Sequence, residues 1–545
     1  MANKTQTIRI ESILGGHAPT TDFASPDQFR GCLGIDPSLP ITDDALGVNA
    51  YAQYPSGLLR PCPFESLSGS AGSGRILWIE NHPKSSGGVT QYFTYTTTGS
   101  VATFDTNLGT VTGLSDLNDG GTASGNGCSY YDNYIYFARD TTIARYGPLD
   151  GTPAFTDDYW VTTLGKTALS DTTYPTFRFG ELPNHVLCRH SDGKLYIADV
   201  VDNQGTIHYI KTRKTTVEGD TDDGSTYDKV NVGYGLWPTA MESYGDLLVI
   251  AFCETSAITG VRGKRAKIAF WDTTSENINN ITWVEFPNSI VTALKNANGV
   301  LYVASSETRE TTGQYGLRIS KHIGGLSFET VANFLNGDAV GPGAIDAIGD
   351  RLFFGGTSRV PSIGSGNTGV SAVFSIGLED NKLGQGLFGI GRGADGTMVS
   401  ALKVVSSRYT NYNLPALGHS ASVYAYAGSN ITGSRNILWW SQTYRLGQKF
   451  KITKIRIPLA QTLATNMTVT PKIYTDNGSG TSYTGGTSAG LSVINSTNYP
   501  NQRSVVMRPE NLTGENNFWL ELAWSGSVLC VVGLPITIEY ELIDD

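Results

Sequence analysis

A chain of 545 residues is too long for one ordinary hydrophobic core, so several domains or one large repeat array is expected. Only 16% of the residues are charged, 39% are apolar and 64 are glycine, a balance that disfavours long helices and suits many short strands joined by tight turns. The formal charge of -10 provides no basic field for general nucleic-acid binding, and no run approaches the ~18 apolar residues of a membrane span.

The opening residues, Met1-Ala-Asn-Lys-Thr-Gln-Thr-Ile8, carry no apolar secretory stretch, which points to synthesis in the cytoplasm. Residues 1–60 do not share the pattern that follows and read as an extended N-terminal arm, beginning with the strand Thr7-Ile-Arg-Ile-Glu11. One short helix is expected in the arm. Ser25 and Gln28 form a capping box, Pro26 takes the first helical position, and Gly34 stops the turn after Phe29 and Leu33. The rest of the arm is proline-punctuated extended chain, able to close a ring of repeats or to dock on a neighbour.

Residues 61–443 contain an internal repeat. Leu294-Lys-Asn-Ala-Asn-Gly-Val-Leu301-Tyr-Val-Ala304 and Cys188-Arg-His-Ser-Asp-Gly-Lys-Leu195-Tyr-Ile-Ala198 share a leading apolar residue, a turn with Gly, and an apolar strand ending in a small residue. The same frame surrounds Ile135, Leu248 and Leu352. A degenerate first copy is placed around Leu77. A last copy begins Val399-Ser-Ala-Leu-Lys403, an echo of Val291-Thr-Ala-Leu-Lys295, and continues after an insertion in the strand Val423-Tyr-Ala-Tyr-Ala427. The leading positions Cys128, Cys188, Met241, Leu294, Ile345 and Leu402 are 51 to 60 residues apart, which suits one four-stranded blade each. The expectation is an all-β chain with a β-propeller of about seven blades, six being the alternative. Cys128 and Cys188 stand where other copies have Met, Leu or Ile and read as small core residues. The six scattered cysteines form no CxxC pair, so no zinc ribbon or redox motif is expected.

Residues 444–545 read as a jelly-roll-like β-sandwich. Phe450 and Ile452 alternate, then Ile455, Ile457 and Leu459 continue on the opposite parity, which requires a bulge near Thr453-Lys454. Met467, Val469 and Ile473 form the next alternating strand, Asn477-Gly478 is a turn signal, and closing strands follow at 504–507, 518–524, 528–532 and 536–542.

Motifs that could carry chemistry lack their structural context. Gly486-Thr-Ser488-Ala-Gly490 matches G-x-S-x-G but lies in a Gly/Ser/Thr loop, not at a strand-to-helix elbow. Gly384 to Gly389 and Gly391 to Gly396 match G-x-G-x-x-G and read as inter-strand turns, since phosphate capture also needs a helix N-terminus. Asp220-Thr-Asp222-Asp223-Gly224, with Asp228, departs from a calcium loop because Gly224 replaces the third acid. Trp439-Trp440 and Tyr424/Tyr426 could stack on sugars, but alternating aromatics in strands more often fill seams between packed elements. No sialidase box and no H-E-x-x-H motif is present. The chain is therefore expected to be non-enzymatic, with no catalytic, cofactor-binding or metal-ligating residue and no cofactor.

The extended arm, propeller repeats, low charge, Thr/Gly/Asn-rich turns and terminal sandwich together resemble the propeller-bearing virion proteins of tailed bacteriophages, including tail-associated components. That resemblance is architectural, covers most of the chain and transfers no functional residue. It implies a structural virion protein made in the host cytoplasm, assembled as a symmetric homo-oligomer with other tail proteins through its arm, and displaying its propeller. The sandwich would contact another subunit or a host surface glycan. A carbohydrate-binding adhesin or receptor-binding protein is the alternative, and a polysaccharide-degrading enzyme the third reading.

Overall fold

In the computed structural model of the chain the described residues are 5–11, 16–17, 28–33, 58–59, 65–70, 74–83, 90–104, 111–116, 127–170, 176–177, 180–181, 185–211, 225–227, 234–254, 265–274, 281–287, 289–308, 315–334, 340–358, 370–376, 387–392, 399–406, 413–419, 422–426, 437–476, 482–483, 491–525 and 530–543. They fall into two compact units.

The first unit, residues 66–371 and 394–425, is a β-propeller. Blade 1 is Ile76–Pro83, Thr90–Thr96, Ser100–Phe104 and Val111–Asp116; blade 2 is Gly127–Tyr131, Tyr134–Ala138, Ile143–Gly147 and Ala154–Thr156. Blade 3 is Leu187–Arg189, Leu195–Val201, Gln204–Ile210 and Ser225–Tyr227; blade 4 is Leu236–Tyr244, Leu247–Glu254, Arg265–Trp271 and Thr282–Pro287. Blade 5 is Ser289–Ala297, Val300–Thr308, Tyr315–Gly324 and Ser327–Phe334. At the sixth position the unit holds the hairpin Ile345–Ile348 and Arg351–Ser358. Blade 7 is Ala401–Ser406, Asn413–His419 and Ser422–Tyr426, completed at its outer edge by Glu65–Ser70 from the opposite end of the unit's sequence. The innermost strands touch one another in blade order, and Ala401–Ser406 returns to Ile76–Pro83, so seven blades close one ring.

The core lies in the seams between blades, because each second strand is buried on both faces. Ile135 packs toward Phe93 and Tyr95 of blade 1, whereas its neighbour Tyr136 packs toward Leu187 and Ile197 of blade 3. Leu195, Leu248 and Leu301 likewise face the preceding blade, and all of Ile135, Leu195, Leu248, Leu301 and Leu352 have 0% exposure. Two-residue turns join first and second strands where the sequence allows positive φ, as at Asp132-Asn133 and Asn298-Gly299.

Three details of the repeat frame are corrected. In blade 3 the residue facing the preceding blade is Leu187, not Cys188, because the hairpin turn through Ser191, Asp192 and Gly193 is one residue longer and shifts the parity. Around Leu77 lies a first strand, not a second: the longer connection in blade 1 puts the second strand at Thr90–Thr96. In the last blade the second strand is Asn413–His419, and Val423 belongs to the third.

Close approach at the ring closure leaves one glycine no alternative. A Cβ on Gly343 would lie 1.9 Å from the carbonyl oxygen of Leu77 in blade 1. Gly343→Ala is expected to cost about 2 kcal/mol or more through forced backbone movement. A lower urea midpoint would register this; an unchanged midpoint would mean that the seam yields freely.

The second unit, residues 1–65, 372–393 and 426–545, is a two-sheet sandwich. One sheet runs Thr5–Ile10, Ile536–Leu542, Phe450–Pro458, Ser504–Met507, with Leu512–Gly514 beside Phe450–Ile452. The other includes, in order, Gly16–His17, Gln28–Leu33, Ile437–Ser441, Asn517–Ser525, Thr468–Thr475 and Ser482–Tyr483. Alternation points Ile452, Ile455, Ile457 and Ile538 of the first sheet and Ile473, Leu520 and Leu522 of the second into buried positions, and the rings of Phe450 and Phe518 meet at 5.4 Å between the sheets. The bulge expected near Thr453-Lys454 is present as a register shift between Ile452 and Lys454. Asn477-Gly478 lies outside the described residues.

The N-terminal arm and its helix are corrected here. Thr5–Ile10 pairs along its length with Ile536–Leu542, so the chain's opening strand belongs to its own sandwich rather than to a reaching arm. Gln28–Leu33 is a strand paired with Ile437–Ser441. A helix of about two turns is marginal whatever its cap, while an open sheet edge offers partners to the backbone groups that face it.

Candidate functional site at the propeller axis

In blades 2 to 5 the innermost strand presents one residue to the preceding blade, Cys128, Leu187, Met241 and Leu294, and in blades 1, 6 and 7 the buried residues Ile79, Ile345 and Leu402 stand in the corresponding strands. The next residue therefore faces the axis and the following blade. Those next residues are Glu80, Ser129, Cys188, Glu242, Lys295, Asp346 and Lys403, and all seven line an axial cavity of about 250 Å³.

From blade 4 round to blade 1 the sign of charge alternates. Lys295 Nζ lies 3.2 Å from Asp346 Oδ1 and 4.0 Å from Glu242 Oε1, and Lys403 Nζ lies 3.0 Å from Glu80 Oε1. Backbone donors complete the carboxylates: Val404 N–H donates to Asp346 Oδ2 at 2.9 Å and Asn296 N–H to Glu242 Oε1 at 3.1 Å. These bonds cross the 4/5, 5/6, 6/7 and 7/1 seams. At the equivalent positions blades 2 and 3 carry the small neutral groups Ser129 and Cys188, with Arg189 also lining the cavity, and hydrophobic clusters join blades 1 to 4 across their seams.

Every side chain of the five is 24% exposed or less, so the protonation equilibria respond strongly. Burial opposes the Asp346 carboxylate, yet Lys403, Lys295 and the Val404 N–H together hold its pKa below the usual value of 3.8. Burial likewise opposes the Lys403 ammonium, and Asp346 and Glu80 overcome it, raising the pKa. Lys295 is raised chiefly by Glu242, against burial. Glu242 itself is raised by burial, which outweighs Lys295.

A pH dependence follows from these directions. Asp346 contributes stability above its unfolded pKa near 3.8 that is lost as pH falls through its lower folded value. The two lysines contribute stability that is intact below their unfolded pKa near 10.5 and is lost as pH rises through the higher folded values. Glu242 opposes Asp346 in acid, since a raised carboxylate favours folding when protonated. Urea unfolding at stepped pH is expected to show an acid limb that Asp346→Asn flattens; an acid limb identical in that variant would contradict the assignment.

A second buried polar group ties blade 3 to the chain before it. Asp199 receives His208 Nε2 at 3.2 Å, Ser170 N–H at 3.1 Å and Val200 N–H at 2.8 Å, with His185 Nδ1 at 3.5 Å. Burial opposes its charge, but His208 and His185 keep its pKa low. All three side chains are at most 7% exposed, a geometry suited to bracing rather than to substrate contact.

Among the described residues, none of those singled out by motif lines the axial cavity. Gly384-Gln-Gly386 and Gly393 to Gly396 lie outside the described residues, and the segment between them that is described, Leu387–Arg392, is a strand. Ser488 and Asp220, Asp222, Asp223 and Asp228 are also outside. Trp439 and Trp440 are buried, and Trp440 Nε1 donates to Glu521 Oε2 at 2.6 Å, so neither ring offers a face to sugar. Tyr424 and Tyr426 stand in blade 7's third strand. Cys128 and Cys188 are buried free thiols, as is Cys253, whose pKa burial pushes up to about 12. Among the described residues no cluster of His, Cys, Asp and Glu forms a metal site.

The axial charges were legible only in part. The echo between Val291-Thr-Ala-Leu-Lys295 and Val399-Ser-Ala-Leu-Lys403 repeats the lysine as well as the apolar frame, and that lysine was the signal. The register of blades 1 and 3, which puts Glu80 and Cys188 on the same ring, has no such echo.

No family model and no curated protein matches the sequence. Among solved structures the chain is similar to the Neurospora crassa Pan2 WD40 domain, at 10% identity and TM-score 0.34 over 65% of this chain and 88% of that one. It is also similar to the N-terminal domain of Nup159, at 7% identity and TM-score 0.36 over 68% and 95%. A third is the extracellular domain of the putative hybrid two component system BT4673 from B. thetaiotaomicron, at 9% and 0.39 over 82% and 47%. The assignment as an all-β propeller protein rests on the chain's own closed ring of seven inner strands.

Proposed function

We propose that the chain is a non-enzymatic structural protein of a bacteriophage virion, tail-associated, with the propeller as a rigid platform. The supporting observation is the use made of the axial charges. Glu242, Lys295, Asp346, Lys403 and Glu80 are committed to one another across four blade seams, an arrangement that stiffens a ring and leaves few groups directed at a substrate. The architectural resemblance to tail propeller proteins supplies the biological setting and with it a symmetric homo-oligomer and other tail proteins as partners. Assembly through a free N-terminal arm is not part of the proposal, since Thr5–Ile10 and Gln28–Leu33 are strands of the chain's own sandwich.

Quantitative mass spectrometry of density-banded phage particles whose genome encodes the chain tests this reading. A fixed whole-number copy relative to the major capsid protein is expected. Absence from banded particles, or depolymerisation of a host polysaccharide by the purified chain that one carboxylate substitution abolishes, would overturn it.

A further inference from the structure

The hydrogen bonds around Asp199 fix where the protons of that cluster sit. His185 precedes the innermost strand of blade 3, and only 1% of its side chain is exposed. Its Nε2 lies 2.7 Å from the carbonyl oxygen of Asp140, in the turn between the second and third strands of blade 2. Its Nδ1 lies 3.2 Å from the carbonyl oxygen of Ala198, with Asp199 Oδ1 at 3.5 Å. A neutral imidazole has one N–H and one bare nitrogen, and a carbonyl oxygen can only accept. In either neutral tautomer a ring lone pair would therefore face an oxygen lone pair across a direct contact. Only the doubly protonated ring donates on both sides.

The counter-charge is in place. Asp199 Oδ1 accepts from the N–H groups of Val200 and Ser170, and Oδ2 accepts from His208 Nε2, so donors meet both oxygens and favour the carboxylate. Burial opposes that charge, yet His208 and His185 act on it with the Val200 N–H and hold the pKa below its ordinary value. His208 donates through Nε2 whether neutral or charged, so the bonding demands no second proton there. Asp140 meets His185 through its main-chain oxygen, and segment 164–170 reaches the cluster through the Ser170 N–H. The Trp160 ring lies 5.6 Å from that of His208. A buried imidazolium and a buried carboxylate thus form one ion pair, and its hydrogen bonds join blade 2, segment 164–170 and two strands of blade 3.

We propose that a proton on His185 latches blade 3 to blade 2: with both ring nitrogens donating, His185 spans the Asp140 and Ala198 carbonyls against the Asp199 carboxylate, and alkaline loss of that proton gives up one of the two contacts and loosens the seam.

A histidine of the unfolded chain is mostly neutral above pH about 7, its ordinary pKa being about 6.5. One that is charged in the fold takes up a proton on folding, so its stabilisation is complete in acid and is lost as the pH rises. Urea unfolding of the full chain at stepped pH tests this. Between pH about 7 and 8 the folding constant of the wild type is expected to fall more steeply than that of His185→Gln, by up to about tenfold per pH unit. Glutamine keeps a donor there but cannot titrate. Neutron diffraction from a deuterated wild-type crystal at pH about 7.5 should show deuterium on both ring nitrogens of His185. The same crystal decides the matter if His185→Gln fails to fold. Equal pH slopes in the two proteins, or deuterium on only one nitrogen of His185, would each overturn the proposal.

Discussion

Leu301→Asp is expected to abolish folding of the propeller, with a loss of more than about 4 kcal/mol. Leu301 has 0% exposure and lies in the seam between blades 4 and 5, among Val249, Ala251, Ile268, Val291 and Val303. None of these can pair a carboxylate, so the substitution removes apolar burial and adds an unmatched charge. The blades form one closed ring, so disruption of a single seam opens the whole circle rather than one edge. Leu195→Asp should behave alike, because Leu195 holds the same place in the seam between blades 2 and 3. Circular dichroism and size exclusion of the refolded variants would check this, and a wild-type unfolding midpoint in either would mean that the second strands are not the buried elements of the ring.

Lys403→Met is expected to destabilise the propeller by about 3 to 5 kcal/mol. The lysine is 17% exposed and stands 3.0 Å from Glu80 in blade 1, while Asp346 of blade 6 acts on it from the other side. Removing it leaves Glu80 without its cation at the closure where blade 7 meets blade 1. Asp346 would keep Lys295 and the Val404 N–H, so most of the loss should trace to Glu80. The double variant Lys403→Met with Glu80→Gln should accordingly recover a large part of the stability, a non-additivity measurable by a double-mutant cycle in urea. By contrast, Glu242→Gln should be nearly neutral, because burial already works against that charge. Equal stability of Lys403→Met and wild type would indicate that water screens the axis far more than the packing implies.

These two variants probe different levels at which the chain encodes its structure. The wheel was legible because its signal is apolar and repeated: a second strand buried on both faces needs a continuous apolar run, and that run recurs at Ile135, Leu195, Leu248, Leu301 and Leu352. The bulge at Ile452/Lys454 was legible for a similar reason, since a change of parity in a period-two pattern has one geometrical cause. The helix expected around Gln28 failed because a capping box is a local preference, and pairing with Ile437–Ser441 is a stronger, non-local one.

By itself, then, the sequence determined the all-β class, the blade repeat, the terminal sandwich and the burial of the cysteines in the frame, all of which follow from short-range alternation of apolar and polar residues. Only the tertiary structure decided which strand closes blade 7, that residues 5–10 complete the sandwich, and that Glu80, Glu242, Lys295, Asp346 and Lys403 meet at the axis. The physical reason is separation along the chain. Lys403 and Glu80 are 323 residues apart, and no local pattern can report a charge pair that exists only once a ring has closed.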